Sequence, residues 1–133
     1  MALPRVSTRN LEYPGDGLHY LDGIPFTGVL EYHRRDGTLD GEEEYKDGES
    51  CGHSREWFPS GRLRMEAECR WGRYHGQVRE WHENGQIANH RVYAYGIKVE
   101  GLEWDESGAL VGEYHIPDSM RPQIETYRAA LEE

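Results

Sequence analysis

The chain has 133 residues, of which 36% are hydrophobic, and it carries 25 acidic against 15 basic side chains for a formal charge of −10. That acidity excludes nucleic-acid and anionic-lipid partners, whose phosphates are bound by Lys and Arg, and it favours a basic protein partner or simple solubility. Fifteen aromatics (four Trp, nine Tyr, two Phe) and 16 glycines argue against disorder and for a thin, turn-rich fold.

Taken in chain order, residues 1–11 read as an extended segment with no apolar leader, and no run is long enough to span a membrane. Cytoplasmic location is therefore expected. Residues 12–27 read as a shortened hairpin that opens an array. From there the glycines keep time: Gly28, Gly52 and Gly76 are 24 residues apart, as are Gly37, Gly61 and Gly85, and Gly48, Gly72 and Gly96. Gly108 continues the second series after 23. A fixed period in this range marks a repeat architecture. The units fall at about 28–51, 52–75, 76–99 and 100–116.

Each unit predicts two strands. In "RLRMEAECRW", Leu63, Met65, Ala67, Cys69 and Trp71 alternate with charged residues, the period of a strand with one apolar face. "PSG", "ENG" and "ESG" supply turns before the second strand of their units. The fold expected is an all-β, elongated, twisted antiparallel meander of hairpins. Residues 117–133 change period: Met120, Ile124, Tyr127 and Leu131 form one helical stripe, with Asp118 or Ser119 as cap. Such a helix is expected to cover the open edge of the last hairpin.

Two columns are candidates for binding. The phrases "GHSREWFPSG" and "GQVREWHENG", and "EGLEWDESG" in worn form, place Trp57, Trp81 and Trp104 in equivalent positions, with Tyr32 aligned to them through Glu31-Tyr32. These side chains either pack from unit to unit or line a groove. In the first unit Asp40, Glu42 and Glu44 alternate away from Leu39 and Tyr45, so they form either one half of cross-strand ion pairs or a docking stripe for a basic protein. Cys51, His53, Cys69 and His75 raise a disulfide or a metal, but their spacing matches no zinc framework, and reduced packing cysteines are expected. No nucleophile, metal-protease or phosphate-loop motif is present, so no catalytic residue, metal or cofactor is assigned and no enzyme is expected.

The repeated Gly…Glu-Trp/Tyr…Gly-x-Leu…Tyr-x-x-Gly phrase resembles MORN repeats, in particular the bacterial MORN-variant type, over residues 12–116. "GIPFTGVLEYHRRDG" at 23–37 is similar to the opening unit of YwqK-family antitoxins. The resemblance implies a protein-binding module, and for the small stand-alone bacterial proteins an immunity or antitoxin role toward a cognate toxin. A general scaffold or membrane-proximal spacer is the alternative it implies. A monomer or weak dimer is expected. One departure stands out: Val99 replaces the glycine that precedes the Glu-Trp phrase in the other units.

Overall fold

A computed structural model describes residues 3–132. Its main element is a nine-stranded sheet in which seven successive antiparallel pairings follow chain order. Before it come β1 (Arg5–Ser7), a 3-10 turn (Thr8–Asn10) and a small hairpin of β2 (Tyr20–Leu21) and β3 (Ile24–Pro25). The meander is β4 (Gly28–His33), β5 (Leu39–Lys46), β6 (Glu49–Trp57), β7 (Leu63–Arg70), β8 (Arg73–Trp81), β9 (Ile87–Ala94), β10 (Ile97–Trp104) and β11 (Leu110–His115). A 3-10 turn (Asp118–Met120) leads into α1 (Arg121–Leu131). Strand β1 lies parallel to β4 and covers the first edge of the sheet.

Two turn types alternate. At one end of the sheet, Asp47-Gly48, Trp71-Gly72 and Tyr95-Gly96 each hold positive φ at both residues, the two-residue hairpin turn whose twist suits antiparallel strands. Each of these glycines donates its amide to a carbonyl just after the preceding tight turn: Gly48 to Phe26 (2.8 Å), Gly72 to Ser50 in β6 (3.0 Å) and Gly96 to Tyr74 in β8 (2.8 Å). At the other end, Phe58–Arg62, His82–Gln86 and Asp105–Ala109 close wider loops by the same pair of backbone bonds, as Arg34–Thr38 does in the first unit.

Trp71 and Tyr95 at a φ of 55 are costly for bulky residues, by about 1–3 kcal/mol each. They hold that conformation within a stack. Their rings lie 5.5 Å apart and 20° from parallel, and His75 sits against both and accepts the Tyr95 amide at 3.0 Å.

The helix docks at this end of the sheet. The Arg73 guanidinium lies 4.7 Å over the Tyr127 ring, and the Tyr95 hydroxyl donates to Glu132. The helix is thus held by Arg73 at the start of β8 and Tyr95 in the turn before β10, rather than laid along the edge of the last hairpin. Neither Asp118 nor Ser119 caps α1, whose first residue follows Met120 in helical geometry; Asp118 pairs with Arg121 instead (3.1 Å).

Bulges recur with the period. Asp40, Arg64, Ala88 and Val111 are each the extra residue between paired positions, as in Glu56–Met65 followed by Trp57–Leu63. This moves Leu63 to the face opposite Met65, which corrects the single apolar face expected for Leu63, Met65 and Ala67. A second bulge sets Glu68 against Gly76, which holds a φ of 115 and where a Cβ would clash with the Glu68 carboxylate. The Glu68 carboxylate takes the Gln77 amide there at 3.0 Å.

Gly76→Ala should therefore lose about 2–4 kcal/mol of unfolding free energy in a denaturant titration, from backbone strain plus the clash. Gly61→Ala, at a φ of 91 with open space around it, should lose only about 1–2 kcal/mol.

Candidate functional site

Cross-strand partners share a face, so the register sorts the side chains. One face carries two rows. The first runs Leu30, Glu43, Ser54, Ala67, Val78, Arg91, Gly101, Tyr114, and the second Tyr32, Gly41, Glu56, Met65, Glu80, Asn89, Glu103, Gly112. Its centre is dry, with Met65, Ala67 and Val78 buried and Tyr93 packed against them, and Leu30 at the β4 end is buried with Phe26 and Tyr45. Toward β4 and β11 polar residues take over, because Glu43 and Arg91 stand at the position of Ala67 in their own units.

Glycines open the surface on either side of that dry centre. Gly41 occupies the place of Met65 in the first unit, and a depression of about 330 Å³ forms over it, lined by Tyr32, Glu43, Ser54, Glu56 and Tyr74. Gly101 and Gly112 form the floor of a second depression of about 350 Å³, walled by Asn89, Arg91, Lys98, Glu103 and Tyr114.

The first depression pairs aromatics with carboxylates. One Glu43 oxygen accepts the hydroxyls of both Tyr32 (3.0 Å) and Tyr45 (3.1 Å). Burial, reinforced by that carboxylate, pushes the Tyr32 phenol up to about 12 and raises Tyr45 further. Burial also raises Tyr74. Glu56 pairs with Arg64 from the neighbouring bulge. Tyr32 and Tyr74 remain 38% and 37% exposed, so their rings are available beside the acids. Such a site suits a guanidinium or ammonium, through ring faces and carboxylates together.

The opposite face holds an ionic row: Glu31, Glu42, Arg55, Glu66, Arg79, His90, Leu102, Glu113. Arg5 reaches in from β1 to bridge Glu31 (3.0 Å) and Glu42 (2.7 Å), and Arg55 joins Glu42 (3.5 Å) to Glu66 (3.4 Å). Beside this row stand Trp57, Trp81 and Trp104, half-buried and opposite Leu63, Ile87 and Leu110.

The candidate residues named from sequence are thus dispersed. Tyr32 does not join the tryptophans. The first wide loop starts at Arg34 as the second starts at Phe58, so His33 holds the Trp57 place and Tyr32 the Glu56 place. No extra loop residue is needed. Asp40, Glu42 and Glu44 occupy three different environments. Asp40 is a bulge residue paired with Arg34 (3.2 Å), Glu42 is closed between two arginines, and Glu44 accepts the His53 amide (3.2 Å). Glu56 belongs to the repeated Glu-Trp phrase, whereas Glu43 and Tyr74 carry no binding assignment from the sequence; the signal for Glu43 is a carboxylate in the column of Ala67.

Cys69 lies opposite Gly52, one position from Cys51, and both thiols are free. Burial, with Glu43 and Cys51 nearby, pushes the Cys69 thiol up to about 11, far from a reactive thiolate. Among the described residues no group of three or more His, Cys, Asp or Glu side chains converges as a metal site.

A repeating antiparallel hairpin array with polar-aromatic depressions defines the class. A family model described as MORN repeat variant matches residues 74–94, which run through the β8–β9 hairpin. The chain thus carries a MORN repeat, and repeats of this kind are in general protein-interaction modules. No curated protein matches the chain. One solved structure, described as the crystal structure of GtfA/B complex bound to UDP and GlcNAc, aligns at 12% identity with a TM-score of 0.38. The alignment covers 91% of this chain, which spans 31% of that one.

Two measurements check these assignments. In an ultraviolet pH titration, Tyr32 should ionise near 12 rather than at its ordinary 10.0, and Tyr32→Phe should remove that late step. Because the folded phenol is the harder to ionise, its contribution to stability is complete below about pH 10 and lost as pH rises through about 12. Glu42→Ala, which frees two arginines, should cost about 1–2 kcal/mol in denaturant unfolding, whereas Asp40→Ala should cost less than about 0.5.

Proposed function

We propose that this chain is a non-catalytic binding protein that occludes a cognate basic protein, in the manner of an immunity protein or antitoxin acting in the cytoplasm. The observation that carries the reading is the depression over Gly41, where Tyr32 and Tyr74 stand beside Glu43 and Glu56. Such a surface receives a Lys or Arg side chain of the partner, and the formal charge of −10 steers that partner in. The MORN repeat supports a protein-interaction role, and the resemblance to YwqK-type antitoxins is what points the role toward neutralisation. The same charge disfavours an anionic membrane as the target.

Co-expression with the product of the adjacent reading frame tests this. The expected outcome is rescue of growth together with a salt-sensitive complex that survives purification. The double change Glu43→Gln, Tyr74→Ala should weaken that complex at least about tenfold without unfolding the sheet. A chain that neither protects nor forms a complex would sink the neutralisation reading.

A further inference from the structure

Strand β11 ends the sheet, and among the described residues it pairs only with β10. The other end is covered by β1, and α1 is anchored on Arg73 and Tyr95, at the turns. Ile116 donates its amide to Val99 at 2.8 Å, which fixes the alternation along the strand. By that alternation Gly112 and Tyr114 face β10, and the amides and carbonyls of Glu113 and His115 point away from the sheet. The strand "LVGEYH" contains neither proline nor lysine, the residues by which edges are commonly blunted. Leu110 and Val111 are 53% and 60% exposed at its start.

We infer that β11 receives an extended, basic segment of a partner protein as a tenth strand. Main-chain hydrogen bonds to Glu113 and His115 supply the pairing, as in strand addition generally. The depression over Gly101 and Gly112 lies immediately inside the edge, so a long side chain of the incoming strand has space there. The Asn89 side-chain oxygen lies buried at that wall without a partner among the described residues, so it accepts from such a side chain. Charge selects the occupant. Glu103 and Glu113 flank the edge and Asp105 and Glu106 lie in the adjoining loop, while of the two cations at the depression Arg91 is paired with Glu80 and Lys98 is held over the Tyr114 ring at 4.1 Å. A second copy would bring the same carboxylates and a further charge of −10 against this surface, so a cationic strand is favoured over self-pairing. The edge is separate from the Tyr32–Tyr74 depression and does not rest on the neutralisation reading.

The test uses a fluorescein-labelled octapeptide of alternating Thr and Lys, with capped ends, and the full chain. Fluorescence anisotropy should show saturable binding. N-methylation of alternate peptide amides should weaken it at least about tenfold, and so should replacement of Lys by Glu. Glu113→Pro removes one outward amide and no bond to β10, so it should weaken binding similarly while circular dichroism stays unchanged; Glu113→Thr, which loses the same carboxylate but keeps the amide, should weaken binding clearly less than Glu113→Pro. Glu113 and His115 amides should exchange with deuterium more slowly once the peptide is bound. Equal binding of the N-methylated peptide, which needs no variant of the chain, would overturn the inference by reducing the contact to charge alone. No saturable binding, or a dimer of the chain that Glu113→Pro abolishes, would equally overturn it.

Discussion

One hydrogen bond organises this molecule: the amide of a turn glycine donated to a carbonyl 22 residues earlier, at Gly48, Gly72 and Gly96. A single-layer sheet has little core with which to set the spacing of its hairpins. Buried side chains here form two small clusters, around Phe26, Leu30 and Tyr45 and around Met65, Ala67 and Val78. The turn-to-strand bond supplies what a thick core would otherwise supply, a fixed relation between successive units. Both turn residues hold positive φ, and the second, with the larger value at each turn, is glycine in all three. Where the first is Trp71 or Tyr95, stacking with His75 and anchoring of α1 offset the backbone strain.

The bulges convert this regular frame into two chemically different surfaces. Asp40, Arg64, Ala88 and Val111 each reverse the alternation just after a wide loop. Leu63, Ile87 and Leu110 consequently join the tryptophans beside the ionic row on one face, where Arg5, Glu42 and Arg55 satisfy one another. The other face keeps the apolar centre and the tyrosine–carboxylate depressions. The residues that vary from unit to unit, such as Gly41, Met65 and Asn89 in a single column, decide where that second face is filled and where it is open.

Much of this was legible in the sequence, because a 24-residue glycine spacing has few structural solutions. The hairpins, the turns and the terminal helix follow from period alone. The register within each unit was not legible. A bulge leaves no mark on an alternating pattern, so Leu63 and Met65 read as neighbours on one face. Tyr32 follows a glutamate just as Trp57 does, and only the loop hydrogen bonds show that His33 is the true counterpart. The site suffered most. Asp40, Glu42 and Glu44 are the densest acidic letters, yet two of them are held by arginines from elsewhere in the chain. Contacts such as Arg5 with Glu42 or Arg73 with Tyr127 join distant segments that no local pattern connects.

Amide hydrogen exchange at Gly48, Gly72 and Gly96 tests the organising bond most directly. If these amides tie unit to unit, they exchange as slowly as the interior amides of β7, and the three lose protection together as denaturant is raised. Exchange at the rate of free turn amides, with the strands still protected, would contradict the account and leave the hairpins joined by their ladders alone.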